Sequence, residues 1–370
     1  MTVQCTARAQ QSRGAYATRM PKPPRHPKPP TAPAGADGAP APAASQGHPF
    51  DALTPELILE ALRHAGYEGD GRLTALNSYE NRVFLAGVDG GPPLVLKFYR
   101  PHRWNAAALQ EEHDFAAELV AQEVPVAAPL PGPDGATLMQ HAGFRYAVFP
   151  RLAGRWPDLE SAEALETLGR FLGRIHAVGR TRHFQHRPHV DVDSLGHGPR
   201  QWLLQQRAVP SALAGQYAKL SAEMLERIGA AFAGLAHLRS LRLHGDCHPG
   251  NILWGDNGPA FVDLDDCRSG PTVQDLWMLL SGSRDEREAQ LGALLTGYQT
   301  FCDFDLTELA LVEPLRALRM LHYAAWLAQR QDDPAFPRAF PWFGGMKYWE
   351  DHVQQLREQL DALDNPPLSY

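Results

Sequence analysis

The sequence has no apolar run that approaches the roughly 20 residues a membrane-spanning helix needs, so no such helix is expected. Cysteine is scarce. Cys5, Cys247, Cys267 and Cys302 form no Cys-x-x-Cys pair, which argues against a zinc ribbon or a secreted disulfide framework and fits a reducing cytoplasm. Positive charge is not in excess: 35 Lys and Arg stand against 42 Asp and Glu, for a net charge of −7. Overall charge therefore does not call for nucleic acid as a partner. Residues 1–48 are poor in large apolar side chains and rich in proline and alanine, with Lys22, Arg25 and Lys28 set among prolines. Such a segment cannot bury enough surface to fold. It is expected to be a disordered tail with polyproline II character, and it lacks the apolar core of a signal peptide.

The rest of the chain is ordinary soluble-protein material, with 44% hydrophobic and 21% charged residues overall. Its length suits about two domains or lobes. Thr54-Pro55-Glu56 reads as an N-cap, a first-turn proline and a first-turn acid, and opens a helix that stops at Gly66. Strands are expected at 73–76, 82–88 and 94–99, with Asp89-Gly90-Gly91 as the turn between the last two.

The stretch 244–266 carries the chemistry. It reads His-Gly-Asp-Cys-His-Pro-Gly-Asn-Ile-Leu-Trp and ends in Phe-Val-Asp-Leu-Asp-Asp. Residues 252–254 and 260–262 read as two strands joined by Asp256-Asn257-Gly258, a hairpin that brings Asn251 and Asp263 to the same end. Asp246 is then a candidate base, and Asn251 and Asp263 are candidate oxygen ligands for Mg²⁺. Phosphoryl transfer to a hydroxyl needs these groups: a carboxylate to orient the hydroxyl and take its proton, and hard oxygen ligands to hold the cation against the phosphates. The plain alternative is a polar surface turn, which explains each residue singly but not their order.

Lys97 lies mid-strand in Val-Leu-Lys-Phe-Tyr, and a helix carrying Glu111 and Glu112 follows. A strand lysine paired to a helix glutamate can hold nucleotide phosphates; a solvated strand lysine is the alternative. Glu112 has Phe115 and Leu119 at helical spacing, so it is the partner expected on the core side. Removal of Lys97 is expected to harm nucleotide use more than folding, because a strand surface can tolerate its loss. Residues 77–81 contain no glycine. Ser78 and the backbone there either contact phosphate or form an ordinary polar turn.

A strand is expected at 144–149, a connection between lobes at 151–154 and a helix from about 161 that carries His176 as a packed core residue. His183, His186, His189 and His197 lie among arginines and prolines without an i, i+4 pair, so zinc is disfavoured. Helices are expected over 200–238 and again from Asp275 through Leu280. Trp326, Trp342 and Trp349 are expected in the core.

Several stretches carry a resemblance: residues 76–83, 97–101, 124–129, the central 244–266, 335–337 and 340–342. In them the chain resembles the bacterial stress response kinase A family, in the aminoglycoside-phosphotransferase-like branch of the protein-kinase-like superfamily. The resemblance implies an α+β, bilobal, protein-kinase-like fold. Its small β-rich N-lobe with one helix would span 49–150 and its mainly helical C-lobe 151–370. It implies an ATP- and Mg²⁺-dependent serine/threonine protein kinase, cytoplasmic and monomeric, that acts in stress response. Asp246 would be the proton acceptor, Asn251 and Asp263 the metal ligands, and Ser78, Lys97 and Glu112 the nucleotide side. His244 and Asp275 would support the catalytic turn. Two departures from ordinary protein kinases stand out: Gly245 sits where many carry arginine, and only eleven residues separate Asp263 from Asp275. A small-molecule hydroxyl kinase and a nucleotide-binding module without transfer activity are the rival readings.

Overall fold

The computed structural model describes residues 49–370 except 77, 236 and 237. The expected tail, and Asn77 of the candidate phosphate loop, lie outside the described residues.

Helix α1 (Pro55–His64) begins where the Thr54 hydroxyl accepts a hydrogen bond from the Leu57 amide at 3.3 Å. A five-stranded antiparallel sheet follows, made of β1 (Gly69–Ala75), β2 (Arg82–Val88), β3 (Leu94–Phe98), β4 (Met139–His141) and β5 (Phe144–Pro150), in the order β1-β2-β3-β5-β4. β1 starts earlier than expected because an irregularity between Gly69 and Leu73 extends its pairing with β2. Leu94, Leu96 and Phe98 alternate onto one face and pack with Ile58, Ala61 and Leu62 of α1. Lys97 therefore points to the other face. There α2 (Ala106–Ala121) packs, with Leu109 against Tyr99 and Ala147, while its Phe115 and Leu119 belong to the main core of the helical part.

Beyond β5 the chain is mainly helical. α3 (Ala162–Gly179), α4 (Gly198–Gln205) and α5 (Ser211–Ala233) lead to the short strand β6 (Leu241–Leu243). The helical stretch expected over 200–238 is thus two helices, broken near Pro210, which has no amide hydrogen to give. The hairpin β7 (Ile252–Gly255) and β8 (Gly258–Phe261) follows, and β9 (Arg268–Gly270) returns to pair with β6. α6 (Gln274–Trp277), α7 (Arg284–Tyr298), α8 (Val312–Ala328), α9 (Phe336–Ala339) and α10 (Met346–Ala362) complete the fold. The helix expected from Asp275 stops after one turn. α3 and α7 cross in backbone contact: a Cβ at Gly169 would collide with the Leu294 carbonyl, and one at Gly297 with that of Glu166. Trp349 is buried, but Trp342 is 40% exposed and does not join the core. It packs edge-on against Phe340 and Phe343 at the surface instead. No helix among the described residues is long and apolar enough to cross a membrane.

Candidate active site

The turn after β6 hangs on one carboxylate. Asp275 is fully buried and accepts hydrogen bonds from the backbone amides of His244 and Gly245, each at 2.8 Å. His176 lies 3.1 Å from the same carboxylate through Nε2 and 3.0 Å from the Tyr298 hydroxyl through Nδ1. The expected packed histidine is therefore satisfied, and its partner is the residue that shapes the turn. Gly245 sits at φ +84°, where a Cβ would strike the Asp266 carbonyl. Glycine is required here by the backbone conformation and the close approach. The His244 ring reaches the Val262 carbonyl at 3.0 Å and ties the turn to the end of the hairpin.

The hairpin does bring Asn251 and Asp263 to one end: the Val262 amide donates to the Asn251 carbonyl at 3.0 Å. The Asn251 side-chain nitrogen donates to the Asp246 carbonyl at 3.0 Å, which turns its oxygen the other way. Asp263 takes a left-handed backbone conformation, φ 62° and ψ 63°. Its carboxylate is 56% exposed, although Lys97, beside it, is only 8% exposed.

Lys97 faces three carboxylates: Asp263 at 3.1 Å, Asp265 at 3.3 Å and Glu112 at 3.4 Å. Burial works against its charge, but Asp265, Glu112 and Asp263 outweigh burial and hold the ammonium well above the usual lysine range. Burial in turn raises Glu112, with Lys97 opposing. Replacing Lys97 would strand buried carboxylates, so the expectation that a strand surface tolerates its removal does not hold. Glu111 has another job. It accepts the backbone amides of Gln185, His186 and Arg187 at 2.6, 2.9 and 3.0 Å. Arg187 then donates to the carbonyls of Leu264, Asp265 and Cys267 and braces the turn after Asp263. No group of three or more His, Cys, Asp or Glu is placed to hold a metal among the described residues, and the histidines of 183–197 form none.

Ser78 donates its hydroxyl to the Asn81 carbonyl at 3.2 Å, within its own loop. The loop is pinned to the helical part of the chain. Glu80 accepts from Trp326 Nε1 at 3.0 Å and from Arg330 Nε and Nη2 at 2.7 and 2.9 Å. The Tyr79 ring meets Trp326, Phe336 and Phe340 edge-on. Arg100 reaches Asp333 at 3.1 Å, and Arg103 binds Asp265 and Asp266.

Asp246 is 23% exposed. Arg319 of α8 contacts its Oδ1 at 2.5 Å, and His248 Nε2 stands 3.5 Å from Oδ2. Burial alone would raise this carboxyl; Arg319 first and His248 second more than reverse that and lower it. Sequence reasoning missed Arg319, Glu80, Arg103 and Arg187. Their partners lie 73 to 250 residues away in the chain, and no local pattern marks such pairs. Asp265 and Asp266 carried a usable signal, since they stand in a run of acids directly after Asp263.

A family model described as "Phosphotransferase enzyme family" matches residues 72–315. The chain belongs to the phosphotransferase enzyme family. Within it, the chain falls in the stress response kinase A group. It is 46% identical over 323 residues to stress response kinase A of Escherichia coli K12, covering 86% of this chain and 96% of that protein. It is 45% identical over 319 residues, with the same coverage, to a Salmonella typhimurium protein named serine/threonine protein kinase RdoA. Among solved structures it shares its fold with the amicoumacin kinase hAmiN, at TM-score 0.65 and 17% identity over 85% of this chain and 94% of that one. A microcompartment-associated aminopropanol kinase gives TM-score 0.64 and 20% identity over 83% and 98%. The α+β kinase-like architecture expected from the resemblance is thus present, and this family member is an ATP-dependent kinase.

Proposed function

We propose that this kinase transfers the γ-phosphoryl group of ATP to a serine or threonine hydroxyl of a protein substrate, as part of a stress response, acting as a cytoplasmic monomer. Residues 49–150 form its nucleotide-binding lobe and residues 151–370 its catalytic and substrate lobe. The observation that carries the reading is the 3.1 Å approach of Lys97 Nζ, from the sheet, to the exposed carboxylate of Asp263, from the hairpin. One cleft therefore holds a phosphate-binding cation and a candidate metal ligand from opposite walls.

Each side chain has a role. Lys97, steadied by Glu112, would neutralise phosphate charge, and Ser78 would contact the nucleotide from its loop. Asp246 orients the attacking hydroxyl and takes its proton. His244 and Asp275 fix the turn that carries Asp246. Asn251 and Asp263 fit Mg²⁺: they offer a free amide oxygen and an exposed carboxylate at one end of a hairpin. Mg²⁺ is normally held by one or two such groups plus phosphate oxygens and water. When bound, the ion would neutralise charge on the β- and γ-phosphates. Support for a protein acceptor comes from the name of the Salmonella typhimurium relative. The short span between Asp263 and Asp275, folded as β9 and α6, keeps a small-molecule hydroxyl as the second reading, because it leaves no long segment for docking a peptide.

The test pairs labelled-ATP transfer with titration of a non-hydrolysable ATP analogue, with and without Mg²⁺. Asp246→Asn should still bind Mg²⁺-nucleotide while transfer falls about 10²–10⁴-fold. Asp263→Asn should lose Mg²⁺-dependent nucleotide affinity, because a neutral amide is a weaker ligand for a hard cation. Near-normal turnover by Asp246→Asn would end the reading of this cleft as the transfer site. Transfer to amino alcohols or aminoglycosides but to no protein would favour the second reading.

A further inference from the structure

The proposed base is shared with a helix that the reading above does not use. Arg319, on α8, reaches Asp246 across 73 residues of chain. Its guanidinium carries five N–H donors, and only Nη1 meets an acceptor among the described residues, at Asp246 Oδ1. The side chain is 33% exposed, and none of its remaining donors is shut away from solvent. The other cations nearby are spent: Lys97 faces three carboxylates, Arg103 two, and Arg330 grips Glu80 with two nitrogens. On α8, four residues on from Arg319 and after the half-buried His322, Tyr323 stacks flat on Trp326 at 5.7 Å and 11°. Beside the base there is thus one arginine with donors to spare and an aromatic shelf.

We infer that Arg319 is the acceptor-side positioning and specificity residue, which fixes the Asp246 carboxylate and selects a serine or threonine flanked by acidic residues. The inference rests on the protein-kinase reading above. Held through Oδ1, the carboxylate keeps Oδ2 toward an incoming hydroxyl, with the His248 ring along its other side. The spare donors suit a carboxylate next to that hydroxyl, where a charge-assisted, two-pronged bond can form. A cationic acceptor is disfavoured. Its ammonium would meet the guanidinium, and the carboxylate that could attract it is already neutralised by Arg319. Like charges set together in this way discriminate strongly between partners.

Three serine peptides of matched length, flanked by glutamates, by glutamines or by lysines, test this with the full-length protein. The wild type should prefer the glutamate peptide over the lysine peptide by about tenfold or more in kcat/KM, the value of one charge-assisted bond. Arg319→Gln should reduce that preference to about twofold, chiefly by raising KM for the acidic peptide. It should also lower kcat on the glutamine peptide, because the base has lost its anchor. Arg319→Lys should recover the charge preference but not the kcat, since a point charge cannot make the planar contact. Thermal midpoints of both variants separate these effects from unfolding. Transfer to all three peptides without charge bias would overturn the role of Arg319 and leave the protein-kinase reading intact. Transfer to no peptide, with transfer to an amino alcohol, would overturn both.

Discussion

Beneath the turn of residues 244–251, one buried carboxylate does the holding; over the loop of residues 79–81, ion pairs and ring edges spread across a wide contact. Asp275 binds two consecutive backbone amides and one imidazole, all shielded from water. Glu80 and Tyr79 instead reach half-buried groups on α8 and around α9, some 250 residues further along the chain. In a dry site each hydrogen bond to a charge is strong and its loss is costly. Across the loop the Glu80 and Arg330 side chains keep 13% and 15% exposure, so these pairs are partly shielded and feel salt more than the fully buried Asp275 does. On the proposed reading the first support would set the geometry of the chemistry, while the second would hold the nucleotide side against the helical part.

Asp275→Asn should break the comparison at its strong end. An amide cannot serve two amide donors and an imidazole through one oxygen, and its own N–H₂ would point at donors. A loss of about 3–5 kcal/mol in unfolding free energy is expected, as for other broken buried charge contacts. Displacement of the turn should cost at least about 10²-fold in turnover. Chemical denaturation and single-turnover transfer read the two effects. A variant of normal stability and activity would mean that the turn holds its shape without this carboxylate.

The same platform has a pH-sensitive rivet. Glu308 is buried and accepts the Val273 amide at 2.9 Å just before α6. Burial pushes its carboxyl up from 4.5 to about 7, against the hydrogen bonds that pull it down. Because the folded state holds the proton more tightly than the unfolded chain, Glu308's contribution is fully present below pH 4.5. It is lost as pH rises toward about 7. Across that window wild-type stability should fall by up to about 3 kcal/mol relative to Glu308→Gln. Parallel stability curves for the two proteins would show that Glu308 titrates normally.

Glu80→Gln probes the weak end. It should cost about 1–2 kcal/mol of stability, raise KM for ATP a few-fold and leave kcat nearly unchanged. Added salt should shrink the difference between wild type and variant, whereas it should leave the Asp275→Asn deficit in place. A salt-independent Glu80 effect would mean that the loop contact is as dry as the platform.

What the sequence determined by itself was local. The Thr54 cap, the turn glycines, the hairpin around Asp256-Asn257-Gly258 and the spacing from Asp246 through Asn251 to Asp263 all fall within short, continuous stretches of chain. Their geometry follows from backbone preference and side-chain reach. The choice of Glu112 over Glu111 was also legible, because helical periodicity sets which face is buried. The tertiary structure decided everything that depends on charge pairing at a distance. That includes how deeply Lys97 is buried among three carboxylates, which residue braces the turn after Asp263, what pins the loop of residues 79–81, and the arrival of Arg319 at Asp246. The reason is physical: an ion pair needs only that two groups meet, and where distant segments meet is settled by how the helices and sheet pack, not by the residues beside each charge.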